Sequence, residues 1–323
     1  MPLAVVDVHD PKTRPPLSFG IYLPNVGWDA IPSARQMMAY AVDAEAAGFD
    51  SVWVEDRLLH PDIDILEAVT TLSFVASCTS RVQLGTSVLL LNLRNPIPLA
   101  KSLSTLNHLS DGRLVVGASL GGHPQEYETS GISTRTRVSR FLNTVDLLRS
   151  FWGQRTYGTV DISSVVAGSM TPRPGESLIP ILIGGRVDAA LRRAAMIGDG
   201  WLASSTTTAE VFRRSWETIV GHTADFGRDP ATLIPAKFCY IDIDDSEERA
   251  LSRLESRLPR YYGRPYDVES LALYGPPAKC VDGAMRLLEA GVRTLIFATV
   301  TSDHAQLHKI AEEILPVLRK EGA

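Results

Sequence analysis

The chain has 323 residues, of which 45% are hydrophobic and 21% are charged, and its net charge is −5. This composition is typical of a globular enzyme with a large core. The negative charge argues against nucleic acid or an anionic membrane as a partner, because no strong basic field exists to neutralise phosphates. The widely spaced Cys78, Cys239 and Cys280 indicate neither a disulfide framework nor a metal site. With no signal peptide and no apolar stretch near the roughly 18 residues of a membrane span, the sequence predicts a cytoplasmic protein.

Short apolar segments alternate with helical patterns along most of the chain. Residues 1–17 carry four prolines and are expected to form an N-terminal arm, followed by a single domain over residues 18–323. Strands are predicted at residues 19–23, 51–54, 82–89, 114–119, 180–183, 200–203, 236–241 and 294–298. Helices are predicted between them, with a last helix at about 303–319. Eight strands joined by helices predict an α/β fold, a (β/α)₈ TIM barrel.

Two connections of the predicted barrel are unusually long. Residues 122–178 and 261–277 read as insertions on the catalytic rim, where long loops usually form lids or substrate walls. In parallel α/β folds the functional site lies at the carboxyl ends of the strands. The residues that directly follow each strand are therefore the candidates for the functional site.

Three groups of residues follow predicted strands. Asp56, Arg57 and His60 follow the second strand, where they form either a catalytic group at the barrel mouth or a solvated ion pair. His123 and Glu126 lie on the first long rim segment and are either catalytic or solvated. Gly184, Gly185 and Arg186 follow the fifth strand and open a helix, an arrangement that favours a phosphate through backbone amides and the helix N-terminus, although a plain turn has the same sequence.

The segment Gly117-Ala118-Ser119-Leu120-Gly121 matches the G-x-S-x-G pattern of a hydrolase nucleophile elbow, with His304 or another histidine as its base. An elbow needs a helix that starts directly after the serine. Gly121, Gly122 and Pro124 give a poor helix signal there, so a serine hydrolase using Ser119 is a minor alternative.

The chain resembles the bacterial luciferase-like superfamily of flavin- and deazaflavin-dependent oxidoreductases over residues 18–320. The resemblance rests on the order and spacing of short matching segments at residues 19–24, 45–56, 84–88, 94–96, 109–113, 183–185 and 198–201. It implies a TIM barrel that forms a homodimer, with a non-proline cis peptide at Ser87–Val88 against which the cofactor ring lies. The cofactor-binding residues that follow are Asp56, Ser87, Val88, Gly121, Gly184, Gly185 and Arg186.

Within that superfamily the chain is most similar to F420-dependent members, which transfer a hydride to or from a substrate carbon without oxygen. The alternative is a reduced-FMN monooxygenase that works with a flavin reductase; a non-catalytic flavin-binding protein is a further one. Sugar-phosphate dehydrogenases of the family carry His and Glu, their acid–base pair for alcohol oxidation, where this chain has Arg57 and Gly122, which argues against that activity. The apolar run Leu89-Leu90-Leu91 instead favours a small apolar substrate, with Asp56, Arg57, His60, His123 and Glu126 as catalytic candidates.

Overall fold

The computed structural model describes residues 15–158, 170–174 and 178–321. Within these ranges the sheet has nine parallel strands: β1 Ser18–Tyr22, β2 Ser51–Val54, β3 Gln83–Leu89, β4 Leu114–Ala118, β5 Ile181–Gly184, β6 Gly200–Ala203, β7 Ile234–Ile243, β8 Leu273–Gly275 and β9 Thr294–Ala298. Strands β1 to β7 and β9 form a closed ring, because β6 pairs with β7, β7 with β9 and β9 with β1. The predicted (β/α)₈ barrel is confirmed.

Helices surround the barrel and connect its strands. Their bounds are α1 Ala34–Ala46, α2 Ala68–Ala76, α3 Pro96–Leu109, α4 Pro124–Thr129, α5 Arg137–Trp152, α6 Asp188–Ile197, α7 Ala209–Asp225, α8 Glu247–Tyr262, α9 Val268–Leu271, α10 Pro277–Glu289, α11 His304–Lys309 and α12 Leu315–Glu321. A π-helical turn, Ile310–Ile314, joins the last two. None of the helices in the described ranges is long and apolar enough to cross a membrane.

The two predicted rim segments are more regular than expected. The first contains α4 and α5, although its residues 159–169 and 175–177 lie outside the described ranges, as do residues 1–14 of the predicted arm. The segment 261–277, predicted as one long rim loop, instead holds the end of α8, then α9, then β8, which pairs with the outer end of β7. Helix α8 continues to Tyr262 because Tyr261 and Tyr262 bury their rings against the barrel mouth, and Gly263 ends it with φ 61°.

Side chains of each strand alternate between two apolar layers. On β2, Val52 and Val54 pack outward among the helices, whereas Trp53 points into the barrel. Trp53 is 1% exposed and donates to Ser51 Oγ at 2.8 Å. Its indole needs the glycine of the neighbouring strand, since a Cβ on Gly85 would lie 2.2 Å from the ring. Trp53 therefore fills the inside of the barrel between β2 and β3.

Candidate active site

Strand β3 ends in a bulge at Ser87 and Val88. The pairing of Thr86 with Val116 and of Leu89 with Ala118 leaves one extra residue on β3, and the Ser87–Val88 peptide is cis. The cis peptide that the family resemblance implied is thus present. The Tyr22 hydroxyl of β1 lies 2.6 Å from Ser87 Oγ and 3.0 Å from the Ser87 carbonyl oxygen. These contacts fix the bulge against the mouth of the barrel.

A surface with little side-chain bulk lies beside this bulge. A Cβ on Gly184 would lie 3.2 Å from Ser119 Cβ and 3.4 Å from Val88 Cγ1, so the ends of β3, β4 and β5 meet here. Gly121 donates its amide to Ser119 Oγ at 3.1 Å. The structure therefore brings together four of the predicted cofactor-binding residues, Ser87, Val88, Gly121 and Gly184.

The turn after β5 continues this surface. Gly185 has φ 137°, and a Cβ there would lie 2.6 Å from Ala190 Cβ, so only glycine fits. Trp201 Nε1 donates to the Gly185 carbonyl oxygen at 2.7 Å, which holds the turn against β6. Arg186 is exposed, with Nη1 3.4 Å from Thr206 Oγ1. The start of α6 is exposed, and a helix N-terminus favours an anionic group.

Glu55 lies one position beyond β2 and shares the inward face with Trp53. It is 5% exposed, and its Oε2 has no hydrogen-bond partner among the described residues. Both backbone polar groups of Glu55 are held by Asn25, whose side chain donates to the Glu55 carbonyl at 2.9 Å and accepts from its amide at 3.1 Å. Burial raises the pKa of Glu55 to about 7, although a hydrogen bond from Tyr261 and the charge of Arg57 act in the opposite direction.

Tyrosines surround Glu55 at the barrel mouth. Tyr22, Tyr240, Tyr261 and Tyr262 all interact electrostatically with its carboxyl. Burial raises the pKa of each phenol above its ordinary value, to about 12 for Tyr262, so each one is neutral at physiological pH. The hydroxyls of Tyr240 and Tyr262 lie 3.2 Å apart. Aromatic side chains therefore enclose the buried carboxyl of Glu55 at the barrel mouth.

Asp56 faces the opposite side of the sheet. Its carboxylate forms a bidentate pair with Arg94, with distances of 2.6 and 2.8 Å, and accepts from the Leu90 amide at 2.8 Å. Burial raises the pKa of Asp56, and Arg94 opposes that rise. This geometry ties the end of β2 to the segment after the Ser87–Val88 bulge. A contact between Asp56 and the cofactor stays a prediction.

The remaining catalytic candidates line one cavity of about 360 Å³ on the rim, together with Tyr261, Tyr262 and Arg260. These candidates are Arg57, His60, His123 and Glu126. The Glu126 carboxylate is fully buried and accepts from the amides of Leu58 at 2.9 Å and His123 at 2.6 Å, so it joins the loop after β2 to the start of α4. The structure thus brings four predicted residues together, and their catalytic role stays a prediction.

The hydrolase alternative lacks its geometry. The helix after Ser119 begins only at Pro124, whereas an elbow needs it directly after the nucleophile. His304, the proposed base, has its Nδ1 2.6 Å from Asp43 Oδ2, and its ring packs against Tyr40 of α1. Ser119 instead belongs to the surface beside Gly184.

Two features of the site were not predicted from the sequence. Glu55 is not among the predicted site residues, although it shares the alternation of Trp53 and Ser51, two and four residues before it. The tyrosines of α8 could not be placed, because no local pattern shows that they reach the barrel mouth.

The run Leu89-Leu90-Leu91 does not line the mouth: Leu89 and Leu91 pack in the outer core, and Leu90 packs with Leu93 and Tyr127.

Comparison with known proteins places the chain in a family. The model of the luciferase-like monooxygenase family matches residues 17–268, and the chain belongs to this family. The resemblance predicted from the sequence is therefore confirmed. One relative, the F420-dependent glucose-6-phosphate dehydrogenase of Beutenbergia cavernae, is 30% identical over 318 residues, which cover 88% of this chain and 94% of that protein.

Solved structures have the same fold at low sequence identity. An F420-dependent secondary alcohol dehydrogenase in complex with an F420-acetone adduct is similar with a TM-score of 0.80 at 17% identity, covering 94% of this chain and all of that one (100%). The oxygenating constituent of 3,6-diketocamphane monooxygenase from Pseudomonas putida, in complex with FMN, has a TM-score of 0.70 at 16% identity, covering 94% and 99%. At these identities the likeness concerns the fold alone.

Proposed function

We propose that the protein is an F420-dependent oxidoreductase that transfers a hydride to or from a small, apolar organic substrate. The observation that carries the proposal is the meeting of Val88, Ser119 and Gly184 at the ends of β3, β4 and β5, where a Cβ on Gly184 would press against both neighbours. We expect the cofactor ring to lie against the backbone there, with its phosphate at the turn that contains Gly185. The relatives named F420-dependent dehydrogenases support this choice of cofactor.

The residues at the barrel mouth determine what kind of substrate fits. F420 supplies the hydride chemistry, and the protein supplies binding, orientation and a site that excludes water. Tyr22 stacks on Phe238 with centroids 5.4 Å apart, and Tyr240 lies edge-on to Phe238 at 5.9 Å. These aromatic walls favour a compact apolar molecule. The apolar substrate expected from the leucine run is thus supported by different residues.

A reduced-FMN monooxygenase is the second candidate, because FMN also presents a ring and a phosphate and a structure of this fold is described with FMN bound. Fluorescence titration of the same preparation with F420 and with FMN separates the two. Preferential binding of F420 is the expected result. Preferential binding of FMN would support oxygen chemistry with a partner flavin reductase, and binding of neither would contradict the proposal. Tight F420 binding without turnover would indicate a non-catalytic cofactor-binding protein.

Two finer expectations also belong to this proposal, namely a homodimer and a location in the cytoplasm. Light scattering of the purified protein at several concentrations tests the first, and a monomer at every concentration would contradict it. Fractionation of the native host tests the second.

A further inference from the structure

We infer that Glu55 is the acid–base residue of this site, which gives a proton to the oxygen of a carbonyl substrate when the neighbouring carbon accepts a hydride. The inference rests on the proposed function and adds the group that handles the proton and the chemical class of the substrate. The first observation is the position of Glu55. It follows Ser51 and Trp53 on the inward face of β2, at the end of the strand where a barrel substrate lies.

The second observation concerns the hydrogen bonding of the Glu55 carboxyl. Glu55 is buried, yet its Oε2 has no partner among the described residues, while Tyr261 hydrogen-bonds to its carboxyl. A buried polar atom without a partner costs free energy unless a ligand satisfies it. A substrate hydroxyl or carbonyl oxygen is the group that such an atom fits, and the backbone contacts with Asn25 keep Glu55 in place to receive it.

The third observation connects Glu55 with the cofactor surface. Tyr22 interacts electrostatically with Glu55 and contacts Ser87 of the cis peptide through its hydroxyl. A substrate between Glu55 and that peptide would therefore have its carbon towards the cofactor and its oxygen towards the carboxyl. Asp56 cannot take this part, because Arg94 and the Leu90 amide already satisfy its oxygens on the other side of the sheet.

The step balances as a two-electron reduction. With a hydride supplied to the carbonyl carbon by reduced F420, the C=O π bond would break and the oxygen would take the proton of Glu55 to become an alcohol. The cofactor would lose two electrons in this step, and the Glu55 carboxylate would be reprotonated from solvent. The reverse sequence oxidises the alcohol, with Glu55 as the base.

The electrostatic setting suits both directions near neutral pH. Burial raises the pKa of Glu55 to about 7, whereas Arg57 and the Tyr261 hydrogen bond lower it. The other titratable groups that interact with it are Tyr22 of β1, Tyr240 of β7 and Tyr262 of α8, all of them neutral phenols. Carbonyl reduction should therefore decline as pH rises through about 7, and alcohol oxidation should rise over the same range.

The test compares wild type with Glu55→Gln, which preserves size and can accept the Tyr261 hydrogen bond but cannot supply the acidic proton. The probes are F420 and cyclohexanone, a compact apolar ketone. We expect kcat for cyclohexanone reduction to fall by roughly 10²- to 10⁴-fold, the F420 dissociation constant to stay unchanged, and the decline in rate above about pH 7 to disappear. Glu217→Gln on the exposed face of α7 is the matched control and should behave as wild type.

A second measurement needs neither cofactor nor turnover. In the infrared spectrum of the protein without F420, the band of a protonated carboxyl should disappear with a midpoint near pH 7 in wild type and should be missing in Glu55→Gln. A variant that keeps the wild-type rate and pH profile would overturn the inference, and so would one that loses F420 affinity, because Glu55 would then bind the cofactor. Wild type that binds F420 and reduces imines but no ketone would overturn it while leaving the proposed function intact; failure to bind F420 would instead overturn the proposed function.

Discussion

Glu55 and Asp56 are consecutive carboxylic acids, and the end of β2 places them in opposite environments. Glu55 faces the aromatic mouth of the barrel, and one of its oxygens has no partner in the part of the chain that the structure describes, whereas Asp56 faces the helical layer and is fully engaged by Arg94 and Leu90. Both residues are carboxylic acids, so their different environments do not come from residue type. They come from the two-residue period of a strand, which directs consecutive side chains to opposite faces. The contacts of Asp56 stabilise the fold, whereas we propose that the carboxyl of Glu55 transfers a proton.

The largest expected effect on stability comes from breaking the ion pair between Asp56 and Arg94. Arg94→Met leaves the buried Asp56 carboxylate without its ion partner, so we expect the free energy of unfolding to fall by about 3–5 kcal/mol. Arg214→Met removes an exposed ion pair with Glu210 on α7 and should cost less than about 1 kcal/mol. Urea unfolding of both variants at neutral pH gives the comparison. Equal losses would mean that Asp56 is not the buried, dependent partner described here.

The next effect concerns Glu55 and the pH dependence of stability. The pKa of Glu55 rises from 4.5 in the unfolded chain to about 7 in the fold, so the folded protein holds this proton more tightly. Its contribution to stability is fully present below about pH 4.5 and is lost as pH rises through about 7, a loss of about 3 kcal/mol.

Glu55→Gln removes this dependence. We expect its free energy of unfolding, relative to wild type, to increase by about 3 kcal/mol between roughly pH 4.5 and pH 8. Denaturant unfolding at several pH values measures this difference, with Glu217→Gln as the control that should show no such trend. A constant difference across the range would show that Glu55 titrates as an ordinary surface glutamate.

A third prediction tests the proposed cofactor surface at Gly184. Gly184→Val places side-chain atoms against Ser119 and Val88, where we propose that the ring binds, and should weaken F420 binding by about tenfold or more, which corresponds to about 1.4 kcal/mol. Gly221→Ala adds a Cβ into open space on α7 and should leave the affinity unchanged. F420 fluorescence titration measures both. Unchanged affinity in Gly184→Val would place the cofactor elsewhere.

The smallest expected effect sharpens the account of Glu55. Tyr261→Phe removes a hydrogen bond that favours the charged carboxylate, so the pKa of Glu55 should rise further. The decline of cyclohexanone reduction, and the loss of the carboxyl infrared band, should both move to higher pH. Tyr274→Phe on β8 is the matched control and should leave both midpoints in place. A shift to lower pH in Tyr261→Phe would contradict the assigned hydrogen bond.

Much of the fold could be predicted from local pattern. The apolar segments and their spacing gave the barrel, and the family resemblance placed the cis peptide at Ser87–Val88, which the structure contains. Strand β8 was missed because it has only three residues, too few for a periodic signal. The gathering of Arg57, His60 and His123 around one cavity follows from their common position after the ends of strands.

The mouth itself could be predicted only in part. The inward direction of Glu55 follows from the alternation through Trp53 and was available in the sequence. The contacts of Tyr22, Tyr240 and Tyr261 with Glu55 were not, because they depend on the closure of the barrel and on the packing of α8 across its end. Residues more than 200 positions apart along the chain meet there, as His60 and Tyr261 do (201 apart), and no local pattern encodes such a contact.

Transfer of an isotope from the cofactor tests the central claim most directly. Reduced F420 carrying deuterium at C5 is incubated under argon with cyclohexanone and the wild-type protein, and the product is analysed by mass spectrometry. We expect cyclohexanol with the deuterium on the carbinol carbon, formed without oxygen and far more slowly by Glu55→Gln than by Glu217→Gln. Product that forms only with reduced FMN and oxygen, or alcohol without deuterium, would contradict hydride transfer from F420 at this site.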